Sequence, residues 1–247
     1  MTTSYDEIVD DFEKTESNLM RKYLEKATVL RVLKDVRGRA VLDLACGNGN
    51  YTRTIKEQGA AYVIGVDISE KMIARARLLE KEQPLGIEYL VRDVTELEQI
   101  GLFDAITAVY LFPYAQTEQA LIDMARAIYS NLKPNGRLVT LTINPDITEK
   151  HATALAKYNV RMKVEDAIKD GMPIELILLN PTQRNPICIV NYYWSKETYE
   201  RVLKKVGFQK IEWHAMLVSK EGIKEYNENY WQEYLANPHT VVIECHR

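Results

Sequence analysis

Cysteine is scarce, and positive charge never gathers into runs. The three cysteines, Cys46, Cys188 and Cys245, stand far apart and form no CxxC pair. That spacing argues against a disulfide framework and a zinc site, and it fits a reducing cytoplasm. Lys and Arg number 32 against 35 acidic residues, for a formal net charge of −3. No cluster of them is dense enough to neutralise a phosphate backbone, which argues against nucleic acid as the partner. No apolar stretch reaches the ~18–20 residues of a membrane span. The N-terminal MTTSYDEIVDDFEK is acidic and lacks the apolar core of a signal peptide. The expectation is a soluble cytoplasmic chain, monomer or homodimer, whose partner is a small molecule and which needs no metal.

What is present is alternation. The chain has 247 residues, enough for one well-cored α/β domain with a modest addition. Leu19, Tyr23, Ala27, Leu30 and Leu33 recur at helical spacing, and Arg37-Gly38 offers a left-handed stop. Then come short apolar runs of buried parallel-strand type: Ala40 to Ala45, Tyr62 to Asp67, Ile87 to Asp93, Phe103 to Phe112 and Arg137 to Asn144. Helical segments separate them, among them one capped by Ser69 with Met72, Ile73, Ala76 and Leu79 inward, and one with Leu121, Met124, Ile128 and Leu132 on one face. Such a rhythm means βαβ units and a parallel sheet. After Pro145 it breaks; Pro173, Pro181 and Pro186 mark 146–191 as an insertion or lid. A helix from Ser195 to Val206 and strands Phe208–Leu217 and Thr240–His246 close the chain. The expected organisation is a helical cap (1–37), a nucleotide-binding half (38–145), the lid (146–191) and a C-terminal part (192–247).

The first strand-to-helix turn carries the chemistry. Asp43 ends a strand, and Gly47 and Gly49 open directly into a helix. Glycine lets backbone approach a bound nucleotide, and the helix N-terminus adds free N–H groups. Asp67 ends the second strand, 20 residues after Gly47, where a carboxylate can accept both ribose hydroxyls of an adenosine. Asp93 ends the third strand, within reach of an adenine edge. Thr52 stands where a dinucleotide fingerprint has its third glycine. Asp43 would repel a pyrophosphate but suits the cationic amino-acid end of S-adenosylmethionine (SAM), directly or through water. A nicotinamide-dependent oxidoreductase is disfavoured on both counts, and a non-catalytic SAM-binding module remains the alternative.

VLDLACGNGNY, GVDISEKMI, VRDV and LKPNGRLV together resemble the successive motifs of class I SAM-dependent methyltransferases, over roughly Tyr5 to Pro145. The resemblance implies a doubly wound, seven-stranded, mostly parallel sheet with an antiparallel last strand, here supplied by the two C-terminal strands as a hairpin. It implies that Asp43, Ala45, Gly47 and Gly49 face the methionine end of the cofactor and Asp67 its ribose. Ile68 and Met72 would then lie on the adenine face, with Asp93 and Val94 at its edge. Ala45 stands where the family usually has glycine. SYDEIVDDFE, LFPYA and YYWSKETYE further resemble small-molecule N-methyltransferases of the toxoflavin (azapteridine) pathway.

Methyl transfer from a sulfonium asks chiefly for position and exclusion of water. Aromatic walls suit a flat acceptor, and Tyr5, Phe12, Tyr110, Phe112, Tyr192, Tyr193 and Trp194 are the candidates, with core packing the competing role for each. Tyr114 is the candidate orienting residue. Of His151 and His214, His214 alternates with Trp213 on a strand; a general-base role is open to it, but a solvated or core histidine is the favoured reading. The stretch after strand four reads Leu111-Phe112-Pro113-Tyr114, without the motif of adenine-flipping methylases or the paired glutamates of protein-arginine methyltransferases. A small heteroaromatic metabolite, methylated on nitrogen or oxygen, is the expected acceptor.

Overall fold

The protein is described from a computed structural model covering residues 6, 18–163, 168–179 and 186–247. Seven strands form one sheet: β1 (Ala40–Leu44), β2 (Tyr62–Asp67), β3 (Glu88–Val91), β4 (Phe103–Val109), β5 (Leu132–Ile143), β9 (Ile211–His214) and β10 (Thr240–His246). Their spatial order is β3-β2-β1-β4-β5-β10-β9. The first five run parallel, and β10 runs antiparallel to both its neighbours. This is the Rossmann-like methyltransferase fold, and the order reverses between β1 and β4, where an open α/β sheet leaves a crevice.

The strands are apolar on both faces because both are covered. On one face Val41, Val63, Val139 and Leu141 share a core with Val29 and Leu33 of helix α1 (Lys26–Leu33) and with Trp231. On the other, Leu42, Leu44, Ile106 and Leu138 pack against α4 (Glu118–Asn131) and α6 (Lys196–Val206). Helix α2 (Asn50–Glu57) follows β1, and α3 (Glu70–Glu82) follows β2. Ser69 caps α3, accepting the Met72 N–H at 3.1 Å, as its sequence predicts.

Several boundaries differ from those read in the sequence. The first helix stops at Leu33, where Lys34 rather than a glycine takes a positive φ of 60° and its ammonium reaches Glu244 at 3.0 Å. Gly38, at φ 69°, serves the turn after it. The expected third and fourth strands lose their polar or turning ends, because Asp93 caps a 3-10 turn at Val94–Glu96 and residues 112–114 form another. Lys133-Pro134-Asn135-Gly136 is absorbed into an irregular start of β5, with register shifting between Phe103↔Leu132 and Ala105↔Arg137.

The region expected as an irregular lid contains a three-stranded antiparallel sheet, β6 (Val160–Lys163), β7 (Pro173–Leu178) and β8 (Ile187–Tyr192). Pro173 heads its strand, where no ladder donor is lost. Helix α5 (Glu149–Leu155) leads into this sheet. The terminal strands are not a hairpin: α7 (Lys220–Tyr226) and α8 (Glu228–Ala236) lie between them, and β9 is only four residues long. Ser219 and Asn227 cap these two helices.

Candidate functional site

A cavity of about 270 Å³ opens at the reversal of strand order, lined by the tips of β1, β2 and β4, by Glu25 and its neighbours, and by the small sheet. The turn after β1 is built from left-handed backbone: Ala45, Gly47 and Gly49 have φ of 54°, 56° and 87°. A Cβ added at Gly47 would meet nothing within 4 Å, so this glycine leaves bare backbone facing open space. Gly49 is a different case. It caps α2 in the left-handed region, and a Cβ there would run into the Tyr89 ring, with Cζ at 2.9 Å.

Asp67 binds this turn to the next one. Its Oδ2 accepts the Gly47 N–H at 2.8 Å and its Oδ1 the Ser69 N–H at 2.9 Å. Burial pushes its carboxyl above the usual range, against those two backbone donors. Ser69 in turn donates to Asp6 at 2.5 Å, which brings Asp6 to the N-terminus of α3. Asp43 lies beneath the turn, 1% exposed, its two oxygens taken by the hydroxyls of Thr52 and Thr107, each at 2.6 Å. Burial pushes its carboxyl up to about 6.

Opposite the turn, Tyr110 leaves β4 with φ 59° and donates its hydroxyl to Glu25 Oε1 at 2.6 Å. Left-handed backbone on a bulky residue is strained, and such strain gathers at functional sites. Glu25 is buried, which raises its carboxyl despite the charge of Arg21. His239 also lines the cavity; burial drives its imidazole down to about 3, and its Nδ1 lies 2.9 Å from the Tyr234 hydroxyl.

Of the cofactor residues expected from the sequence, Ala45, Gly47, Asp67 and Met72 line this cavity. Asp43 and Gly49 support the turn from behind. Ile68 is 65% exposed outside it, Asp93 accepts the Thr95 N–H at 2.8 Å, and Val94 is buried in the core on the side of α4. Tyr110 and Tyr114 line the cavity. Phe112 packs on Tyr199 instead, at 5.9 Å between centroids, and Trp194 donates to the Ala115 carbonyl at 3.0 Å. Tyr192 is half-buried off the cavity, and Tyr193 donates to the Pro145 carbonyl at 2.8 Å. Tyr5 and Phe12 lie outside the described residues. His151 caps α5 through Thr148, and His214 sits 3.1 Å from Glu244; neither is among the residues lining the cavity. Glu25, Asn191 and His239 belong to no motif legible in the sequence: Glu25 stands beside Lys26 in a charged helical segment, Asn191 near the end of an apolar strand, and His239 after Asn237-Pro238.

Comparisons with known proteins place a family match on the half of the chain that forms the turn and Asp67. Residues 41–136 match a family described as a methyltransferase domain. An uncharacterized protein of Haemophilus influenzae is 31% identical over 151 residues, 58% of each chain. A ubiquinone biosynthesis O-methyltransferase of Xanthomonas oryzae pv. oryzae is 34% identical over 112 residues, 44% of this chain and 45% of its own. The chain thus spans about half the length of these relatives. Among solved structures, an S-adenosylmethionine dependent methyltransferase from Mesorhizobium loti superposes with a TM-score of 0.63 at 22% identity, covering 94% of this chain and 99% of its own.

Proposed function

We propose that this protein is a SAM-dependent methyltransferase acting on a nitrogen or oxygen of a small, heteroaromatic metabolite. The observation that carries the reading is one cavity that runs from the bare Gly47 backbone and the Asp67 carboxylate to a wall of tyrosines and aliphatic side chains. The residues fit the cofactor: the Gly47 cradle has no side chain in the way, and Asp67 has lone pairs beyond those given to two backbone amides. SAM supplies a methyl group already activated by its sulfonium charge.

The chain's own work is then placement. Asp67 receives the ribose hydroxyls while holding the Gly47 amide, so cofactor and turn are fixed by one carboxylate. Met72 covers the adenine. Asp43 fastens the turn to α2 through Thr52 and to β4 through Thr107 and puts negative charge beneath the methionine end. Tyr114 orients the acceptor, with Tyr110 beside it, and the small sheet keeps water from the reacting atoms. In this reading 38–145 binds SAM, 146–191 selects the acceptor, and the flanking segments 1–37 and 192–247 complete one unit. The motifs SYDEIVDDFE, LFPYA and YYWSKETYE favour a ring nitrogen of toxoflavin type, and the ubiquinone relative favours oxygen. A cytoplasmic monomer or homodimer fits either.

Calorimetry with S-adenosylhomocysteine tests this. Asp67→Ala should weaken binding by about 1.5–3 kcal/mol, the scale of a charged hydrogen-bonding group. Unchanged affinity would remove Asp67 from the site, and stabilisation by NAD with none by SAM would refute the reaction class.

A further inference from the structure

The inward face of the small sheet breaks its own pattern at one position. Ile187 and Ile189 of β8 point inward with Ile174, Leu176 and Leu178 of β7, all buried, as strand alternation requires. The next inward residue of β8 is Asn191, opposite Ile174 and 3% exposed. Its Nδ2 has no hydrogen-bond partner among the described residues, and the residue lines the cavity beside Leu176, Leu178 and Ile189. A buried amide donor without an acceptor lowers stability, and an aliphatic residue there would carry no such cost.

We propose that Asn191 recognises the methyl acceptor, donating from Nδ2 to a carbonyl oxygen or an unprotonated ring nitrogen of a small ring lying against the aliphatic sheet face. The inference rests on the methyltransferase reading and deepens it by naming the acceptor's chemical class. The apolar neighbours supply area for the ring without direction, and the amide supplies the direction. Across the cavity, Glu25 already accepts one hydroxyl, from Tyr110, so an acceptor molecule that also carries an N–H or O–H finds a carboxylate in the same chamber. A site built to donate to a ring carbonyl discriminates against the analogue that lacks it, because the donor is again left unpaired.

The test uses the full chain loaded with S-adenosylhomocysteine and two probes of similar shape, 2-quinolone and naphthalene. The parent protein should bind 2-quinolone at least about tenfold more tightly. Asn191→Leu should lose that preference, keep its S-adenosylhomocysteine affinity, and melt at the same or a higher temperature, since it removes an unpaired buried donor. A melting temperature lowered by several degrees would make Asn191 a structural residue and overturn the proposal. So would a preference that survives in the variant, or normal S-adenosylhomocysteine binding with no preference in the parent. A parent protein that does not bind S-adenosylhomocysteine overturns the methyltransferase reading, and this inference with it.

Discussion

A carboxyl 1% exposed beneath a glycine turn sets two opposed demands on Asp43. Leaving water disfavours its charge, while the hydroxyls of Thr52 and Thr107 favour it; burial wins, and the group titrates near 6. An acid whose folded-state pKa lies above its unfolded value of ~3.9 binds its proton more tightly when folded. Its contribution to stability is therefore full below about pH 4 and is lost as pH rises through 6. Asp43→Asn keeps the shape and removes that titration. Between pH 4.5 and pH 7.5, urea unfolding should show the parent losing about 2 kcal/mol relative to the variant. His239, held near 3, acts in the other direction: its contribution is full above the unfolded value of ~6.5 and is lost as pH falls from there through about 3. Both proteins share it, so it cancels in the comparison. Parallel pH profiles for parent and Asp43→Asn would mean that Asp43 titrates like an ordinary surface carboxyl.

At the scale of the element, the turn between β1 and α2 shows what a motif can and cannot reveal. Both glycines were legible as sites where a side chain is unwelcome, but the reasons differ. Gly47 faces open space, whereas Gly49 is pressed against Tyr89 of β3, whose buried hydroxyl has no partner among the described residues. Gly49→Ala should cost about 2–4 kcal/mol, from left-handed backbone and from overpacking. Tyr89→Phe should be neutral or stabilising, because it deletes an unsatisfied buried hydroxyl. Combining them should recover part of the loss in thermal unfolding, since the deleted atom lies in the path of the new methyl group. Strict additivity would show that backbone conformation alone accounts for the glycine. The same division ran through the other elements. The five parallel strands were legible because burial on both faces leaves continuous apolar runs. The small sheet was not, because its half-buried alternation in Ile174, Leu176 and Leu178 sits among prolines that read as loop. Helices α7 and α8 were missed because their apolar face is tyrosine and tryptophan rather than aliphatic.

Those aromatic residues matter most at the scale of the whole molecule. An abundance of tyrosine, 15 in all, reads in the sequence as a store of acceptor-binding rings. Much of it serves instead as a joint. Trp231 of α8 is fully buried, stacks on Tyr158 next to the small sheet at 5.6 Å, and meets Tyr23 of the N-terminal helical segment edge-on at 6.0 Å. Tyr226 and Tyr230 pack edge-on against it, and Tyr234 meets Tyr158. The indole N–H donates to the Gly222 carbonyl at 3.0 Å, which ties α8 to α7. One side chain thus links the N-terminal segment that supplies Glu25, the turn that leads into the small sheet, and the C-terminal helices. Removing it should cost about 3–5 kcal/mol, as for other fully buried large aromatics. The loss should also be uneven, because β1 and β2 are held by the parallel ladder and by a second core on their other face. Hydrogen exchange on Trp231→Ala should show β6, β7 and β8 losing protection well before β1 and β2. S-adenosylhomocysteine affinity, which depends on Gly47 and Asp67 at the tips of those strands, should fall less than the affinity for an acceptor probe such as 2-quinolone. If protection fell equally in both sheets, and both affinities with it, the aromatic joint would be part of one undivided core, and acceptor and cofactor binding could not be tuned apart.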